Sequence, residues 1–299
     1  MQGLAEFIMR GRRQATLVVG LSVAVPMLFW FGAVAMALVL LRRGWSEGLP
    51  VLGWASLPAV AWALLGDPTP LMVLLGCSAL ALLLRQRSEW SLVTMATAPL
   101  GLVFALVLLV TLQGPLQEVA DQIRSALPQM LTELSAEIDE AALARLQALM
   151  VPLLAGLMGA THAAMTLVCL ILARSWQARL FNPGGFRDEF HRLRLAPWMS
   201  IVLALLVFVG PQFDGLAMLA PIATVPLLFA GLALVHGVVG IKRLGIGPLV
   251  VLYATLIFVW QVLYPLIMFL AFIDSLFDFR SRLQPASGAS GNDDSNGQG

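Results

Sequence analysis

Charged residues are scarce in this chain, and their scarcity defines its class. Only 12% of the 299 residues are charged, 59% are hydrophobic, and the mean hydropathy is +0.87. Soluble domains carry about 25% charged residues and about 45–50% apolar ones. The composition therefore excludes an ordinary soluble domain and predicts a protein embedded in a lipid bilayer.

Cysteine is almost absent, and the basic residues form no single patch. Cys77 and Cys169 fall inside apolar runs, which is typical of small buried side chains and not of a disulfide or a metal site. The net charge is only +1, because several loops share the basic residues. A nucleic-acid partner is therefore excluded, since such proteins present one strongly basic surface.

Catalytic motifs are missing as well. The sequence holds no phosphate-binding loop, no HExxH, no CxxC and no nucleophile elbow, and segment 245–248 lacks the lysine that a phosphate loop requires. Asp188, Glu189 and His191 lie close together among arginines, which is more typical of charge pairing on a helix than of a metal site. We therefore expect neither an enzyme nor a cofactor.

Long apolar runs are what the sequence has instead. A membrane-spanning helix needs about 20 apolar residues. The pattern predicts an all-α, polytopic transmembrane helical bundle with eight hydropathic units. These units cover residues 15–41, 49–65, 71–84, 92–112, 149–173, 199–210, 216–241 and 249–277.

The arginines predict which loops share a side of the bilayer. The loops that carry Arg42, Arg85, residues 174–197, and Lys242 with Arg243 lie on one side by parity, and an excess of basic residues marks a cytoplasmic loop. We therefore expect a multi-pass protein of the bacterial inner membrane with these four loops in the cytoplasm.

Both chain ends also carry arginines, which conflicts with eight simple spans. Arg10 and Arg280 can share the cytoplasmic side only if the first and last runs each fold back as a hairpin, which gives ten segments and two cytoplasmic termini. Pro26 and Pro265 offer the breaks, because proline interrupts helix hydrogen bonding. The alternative is one long tilted helix at each end.

Residues 113–148 form an acidic segment. Six acidic residues against two arginines give it a net charge of −4. Apolar residues recur at spacings of three and four on both sides of Pro128, which predicts two amphipathic helices on the periplasmic side. The segment separates transmembrane bundles at 1–112 and 149–283, and residues 284–299 are expected to be a disordered tail.

The loop 174–197 is the one long charged segment between apolar runs. Five arginines against two acidic residues give it a net charge of +3. Asn182, Gly184 and Gly185 flank or follow a proline and predict a turn. Beyond the turn, apolar and basic stripes at helical spacing predict an interfacial helix; the stripes are Phe186, Phe190 and Leu193, and Arg187, His191 and Arg194.

Two segments resemble a known family. The loop sequence NPGGFRDEFHRLRL and the later segment IDSLFDFR, Ile273 to Arg280, are similar to the YybS-like family of uncharacterised bacterial inner-membrane proteins. The resemblance implies a multi-span membrane protein and no catalytic residue. The family fold has a looser likeness, by analogy, to the substrate-binding subunits of energy-coupling-factor vitamin transporters.

Three ionisable residues fall inside apolar runs, where burial is costly. His162, His236 and Asp274 are therefore candidates for an intramembrane polar site, or for hydrogen bonds between neighbouring helices. If the last run is a hairpin, Asp274 lies level with His236, and the two would form a candidate proton or cation site.

The sequence leaves two functions open. The first is binding or transport of a small-molecule ligand at a polar pocket among the helices. The second is a scaffold in the lipid bilayer that docks a membrane or cytoplasmic protein through loop 174–197 and the periplasmic helices. An enclosed polar cavity reaching His236 would favour transport.

Overall fold

The computed structural model describes residues 2–133 and 139–283, and all regular elements in those residues are helices. The predicted all-α class is therefore confirmed. In chain order the helices are α1 (Gln2–Arg10), α2 (Arg12–Ala24), α3 (Phe29–Arg43), α4 (Trp45–Ala55), α5 (Leu57–Leu64), α6 (Thr69–Arg87), α7 (Trp90–Met95), α8 (Thr97–Thr111), α9 (Gln113–Glu133), α10 (Glu140–Phe181), α11 (Gly185–Arg192), α12 (Pro197–Phe208), α13 (Leu219–Ile241), α14 (Gly247–Phe258), α15 (Trp260–Phe277) and α16 (Phe279–Leu283), with short 3-10 turns at Gly210–Gln212 and Asp214–Leu216.

Several of these helices suit a bilayer. Five spans are long and apolar enough to cross one, if α7 and α8 are counted together: Thr69–Arg87, Trp90–Thr111, Glu140–Phe181, Leu219–Ile241 and Trp260–Phe277. The pair α11 and α12, bent by 64°, would add a sixth. Because α11 carries four charged residues in eight, we place it outside the hydrocarbon. The fold is that of a membrane protein built as a helical bundle.

Helix α3 forms the centre of the bundle. Its residues 32–41 are all buried, whereas an amphipathic helix buries only one face. Helices α2, α6 and α10 pack around it. Helix α10 also contacts α8 and α13, so helices from both sides of the acidic segment share one bundle.

The first apolar run folds back as a hairpin broken at Pro26, as predicted. Helix α2 ends at Ala24, and Met27 adopts a left-handed φ of 67° before α3 begins. The far ends then meet, because Arg43 donates a hydrogen bond to the carbonyl of Met9. Close approach near the bend requires Gly32, since a Cβ there would lie 2.6 Å from Val23.

The last run also folds back, but the break predicted at Pro265 is wrong. The chain bends at Val259, and Pro265 lies inside α15. Proline obstructs the carbonyl four residues earlier, which belongs to Gln261, so the disturbance falls at the first turn of α15 and the helix simply begins there. Near the start of α15, Tyr264 bonds Thr224 close to the beginning of α13, whereas Arg280, just beyond α15, lies beside Gly237 near the end of α13. Helix α15 therefore runs back toward the end of the bundle from which α14 starts.

The arginine clusters gather at one end of the bundle, which we call the basic face. Arg85 donates to the carbonyl of Leu41 at 2.6 Å, and the Arg42 guanidinium lies 4.2 Å from the centre of the Phe181 ring. The ends of α3, α6 and α10 therefore meet here. Arg280 of α16 also lies beside Gly237 near the end of α13. This arrangement agrees with the shared side that parity predicted.

The acidic segment lies at the opposite end. Pro128 does not divide it, since α9 continues from Gln113 to Glu133 through this proline, and a proline can bend a helix without ending it. The second predicted helix falls partly outside the described residues, at 134–138, as does the predicted tail. Helix α10 begins at Glu140, and Arg124 of α9 donates to the Gln147 carbonyl at 2.9 Å.

Candidate functional site: a cleft in the basic face

Helix α11 starts from the turn that the sequence predicted. Gly185 donates a backbone hydrogen bond to the Asn182 carbonyl at 3.1 Å, which closes the turn. Gly184 has a φ of 90°, a left-handed conformation that favours glycine. The chain therefore reverses after α10 and lays α11 across the basic face.

The apolar face of α11 packs on the bundle. Phe186 lies edge-on to Trp90 with ring centres 5.9 Å apart, and Phe190 lies edge-on to His236 at 5.4 Å. Leu193 is 3% exposed. The predicted amphipathic helix is thus confirmed, and its apolar stripe contacts protein. The opposite stripe, with Arg187, faces outward.

An ion pair anchors α11 to the end of α10. Glu189 accepts two hydrogen bonds from the Arg174 guanidinium, one of 3.0 Å from Nε, and a third of 3.1 Å from Trp90 Nε1. Such bidentate contacts between arginine and carboxylate fix orientation as well as distance. The helix is therefore held rigidly over the bundle.

A second, buried ion pair anchors the segment that follows α11. Arg280 lies 2.8 Å from Asp274, and it donates to the carbonyls of His191 at 2.6 Å and Leu193 at 2.7 Å. Asp274 also accepts a 3.0 Å bond from the backbone of Phe279. One guanidinium thereby connects α15, α16 and loop 174–197.

The candidate pair of Asp274 with His236 does not form. Asp278 adopts a left-handed φ of 48°, which turns the chain so that Arg280 reaches back to Asp274. His236 instead places Nδ1 2.8 Å from the Leu232 carbonyl and Nε2 3.4 Å from the hydroxyl of Tyr253. A buried carboxylate needs a charged partner, and the closest one in sequence satisfies it.

His162 is remote from the other two predicted site residues. Its Nδ1 lies 2.6 Å from the Met158 carbonyl, and its Nε2 lies 3.2 Å from the hydroxyl of Thr69, at the opposite end of α6 from the basic face. These contacts match the interpretation of a histidine that bonds a neighbouring helix. The three candidates therefore form no common site.

His236 does meet the basic stripe of α11 in a surface cleft between α11, α13 and the start of α14. We call it the arginine cleft; its volume is about 400 Å³, and its lining residues are Arg187, His191, His236, Val239, Gly240, Arg243, Gly245, Ile246 and Leu249. Gly240 leaves the floor open, since a Cβ there would lie 2.7 Å from the His191 ring.

The charge of the arginine cleft distinguishes it from its neighbours. Three adjacent cavities of about 340, 270 and 360 Å³ each include a carboxylate, such as Asp188 or Glu189. The residues that line the arginine cleft include none. Within residues 2–133 and 139–283, neither Arg187 nor Arg243 forms an ion pair. Two exposed guanidinium groups therefore face one cavity without a counter-charge.

His191 lines the same cleft as these two arginines. Burial lowers the pKa of His191 below its ordinary value, and the positive charge of Arg187 lowers this pKa further. The imidazole is thus mainly neutral at pH 7, and the cleft carries the charge of its arginines. Guanidinium groups bind phosphate and carboxylate through paired N–H donors, so the arrangement can hold an anion.

Sequence reasoning identified part of this cleft. Arg187, His191 and His236 were candidates, but in two separate groups, and Arg194 pairs instead with Asp278 at 3.1 Å. Arg243 was taken only as a mark of topology. Its parity with loop 174–197 was the available signal, because both had to lie at the same end of the bundle.

Comparisons of the chain with protein-family models, with curated proteins and with solved structures found no match. The class of protein therefore rests on the fold and the cleft: an all-helical membrane bundle with an uncompensated basic cavity at one end.

Proposed function

We propose that this chain is an integral protein of the bacterial inner membrane that binds a small anionic molecule at the arginine cleft. The observation that carries the proposal is a cavity with two unpaired arginines and no carboxylate on its walls. Membership in the YybS-like family belongs to the same proposal, with segments 182–195 and 273–280 as its support.

The orientation follows from charge. The basic face holds the arginines of loop 174–197, the ends of α3 and α6, the end of α1 and Arg280 of α16. Such an excess of basic residues is retained in the cytoplasm. The arginine cleft would then open at the cytoplasmic surface. The acidic helices would lie in the periplasm.

Binding is better supported than transport. His162 and His236 lie toward different ends of the bundle, and the buried residues of α3, α6 and α10 are almost all apolar. The cleft that reaches His236 is open to the surface. A ligand can therefore be held at one face without a polar route through the bundle.

A scaffold is the second candidate function. Helix α9 is exposed along most of its length, with only Leu116 and Ala120 among its described buried residues. A polar helix of 21 residues outside the bundle offers surface for a protein partner. In this case α9, and not the arginine cleft, would carry the binding.

Native mass spectrometry of the full chain, purified in mild detergent, tests both functions. We expect the wild type to retain an anionic molecule and the double variant Arg187→Gln with Arg243→Gln to lose it. The control is Arg13→Gln with Arg179→Gln, which removes the same charge from exposed positions outside the cleft. An unchanged ligand in the cleft variant would refute the proposed site, and a bound protein lost on truncation of α9 would favour the scaffold.

A further inference from the structure

Helix α14, which borders the arginine cleft, is attached to the bundle on little of its surface. None of its 12 residues is buried, although nearly all of them are apolar. Its contacts with α13 and α15 are few compared with those between α13 and α15. An apolar helix with this exposure must face lipid over most of its circumference.

One face of α14 continues the cleft. Ile246, Val250, Tyr253 and Ile257 follow one another at spacings of four, three and four, so they share a stripe. Their exposed fractions are 75%, 58%, 43% and 72%. Ring centres of Tyr253 and His236 lie 5.8 Å apart, so the stripe borders α13. An exposed apolar stripe thus leads from the arginine cleft along α14.

The length of this stripe matches the thickness of a single leaflet. From residue 246 to residue 257 the helix rises about 16 Å at about 1.5 Å per residue. Half of a hydrocarbon core of about 30 Å is about 15 Å. The stripe starts at the basic face and ends at the depth that acyl chains of one leaflet reach.

We propose that the anion held by the arginine cleft is the phosphate headgroup of an anionic phospholipid whose acyl chain lies along the α14 stripe. This inference rests on the proposed function and assigns its ligand. Arg187 and Arg243 contact the phosphate, and the ring of Tyr253 lies at the boundary between headgroup and chain, where tyrosine is favoured. The lipid enters sideways from the bilayer, because the α14 stripe is exposed.

A binding titration of the detergent-purified full chain tests the inference. The probes are phosphatidylglycerol, phosphatidylcholine and glycerol 3-phosphate, followed by native mass spectrometry. We expect one phosphatidylglycerol per chain, weaker binding of phosphatidylcholine, and glycerol 3-phosphate weaker by at least about tenfold because it lacks the chain. The variant Arg187→Gln with Arg243→Gln should weaken phosphatidylglycerol on the order of twentyfold.

The acyl half of the site has its own variant. Ile257→Ser removes apolar contact far from the arginines and should weaken phosphatidylglycerol about threefold while leaving glycerol 3-phosphate unchanged. Phe208→Ser is the control, since Phe208 is 77% exposed on α12 and not on the stripe. Equal binding of glycerol 3-phosphate and phosphatidylglycerol would overturn the lipid assignment and keep the proposed anion site. Binding of no anionic probe would overturn both.

Discussion

Helices α3 and α14 are similar in sequence character and opposite in environment. Both are short and apolar, with 15 and 12 residues. In α3 residues 32–41 are all buried, whereas α14 has no buried residue. Hydropathy measures whether a segment avoids water, and in a bilayer both protein and lipid satisfy that need. The position of a helix in the bundle therefore has to come from something other than its apolar content.

The contrast raises the question of what attaches the α14–α15 hairpin to the bundle. Loss of the buried Arg280–Asp274 pair is expected to have the largest effect on stability. Asp274→Asn leaves a buried guanidinium without its charge partner, which typically costs about 3–5 kcal/mol. We expect earlier unfolding in detergent and faster proteolysis of loop 174–197. Asp278→Asn is the control, because its pair with Arg194 is exposed and contributes about 0–1 kcal/mol. Equal effects of the two variants would show that the buried pair does not hold the hairpin.

Truncation of one apolar side chain in each helix tests the contrast directly. Leu38 in α3 is 0% exposed, so Leu38→Ala should lower the free energy of unfolding by about 2–5 kcal/mol through the cavity it leaves. Ile257 in α14 is 72% exposed, and Ile257→Ala should change it by less than about 0.5 kcal/mol. Chemical denaturation in one detergent measures both. Similar losses would mean that α14 packs against protein after all.

The smallest expected effect concerns pH at the cleft beside α14. Burial and Arg187 lower the pKa of His191, whereas a bound anion would raise it, so binding takes up a proton and tightens as pH falls. Sulfate affinity should rise severalfold as the pH falls below about 6.5, the ordinary histidine pKa, because the pKa of free His191 lies below that value.

The charged and titratable groups that face His191 are Arg187, Asp188, His236 and Arg280. His191→Gln should therefore flatten the pH profile measured by calorimetry, and His236→Gln should preserve it. A profile that disappears only in the His236 variant would assign the proton to the other ring.

Sequence reasoning reached the helical class and the first hairpin because their signals are local. Proline at residue 26 interrupts a helix by itself, and the left-handed residue that follows it is part of the same bend. The arginine ends gather on one face because charge cannot enter hydrocarbon cheaply. Each conclusion needed only neighbouring residues and the bilayer.

The parts that sequence reasoning missed depend on contacts between distant segments. The break at Val259 has no proline or glycine to mark it. Asp274 and Arg280 are six residues apart, a spacing that is not a neighbour on a helix, and only the turn at Asp278 brings them together. Arg243 joins Arg187 because α11 lies across the end of α13. No local pattern contains that crossing.

Helix α10 has a mechanical consequence. It runs unbroken for 42 residues, about 63 Å at about 1.5 Å per residue, which is twice the thickness of a hydrocarbon core. Arg145 fixes its outer end to the carbonyl of Pro211 at 3.4 Å, and Arg174 ties its inner end to Glu189 of α11. Side-chain contacts therefore hold both ends of α10. A displacement of its outer end would therefore be carried along the helix toward Glu189 and α11, since no loop interrupts α10.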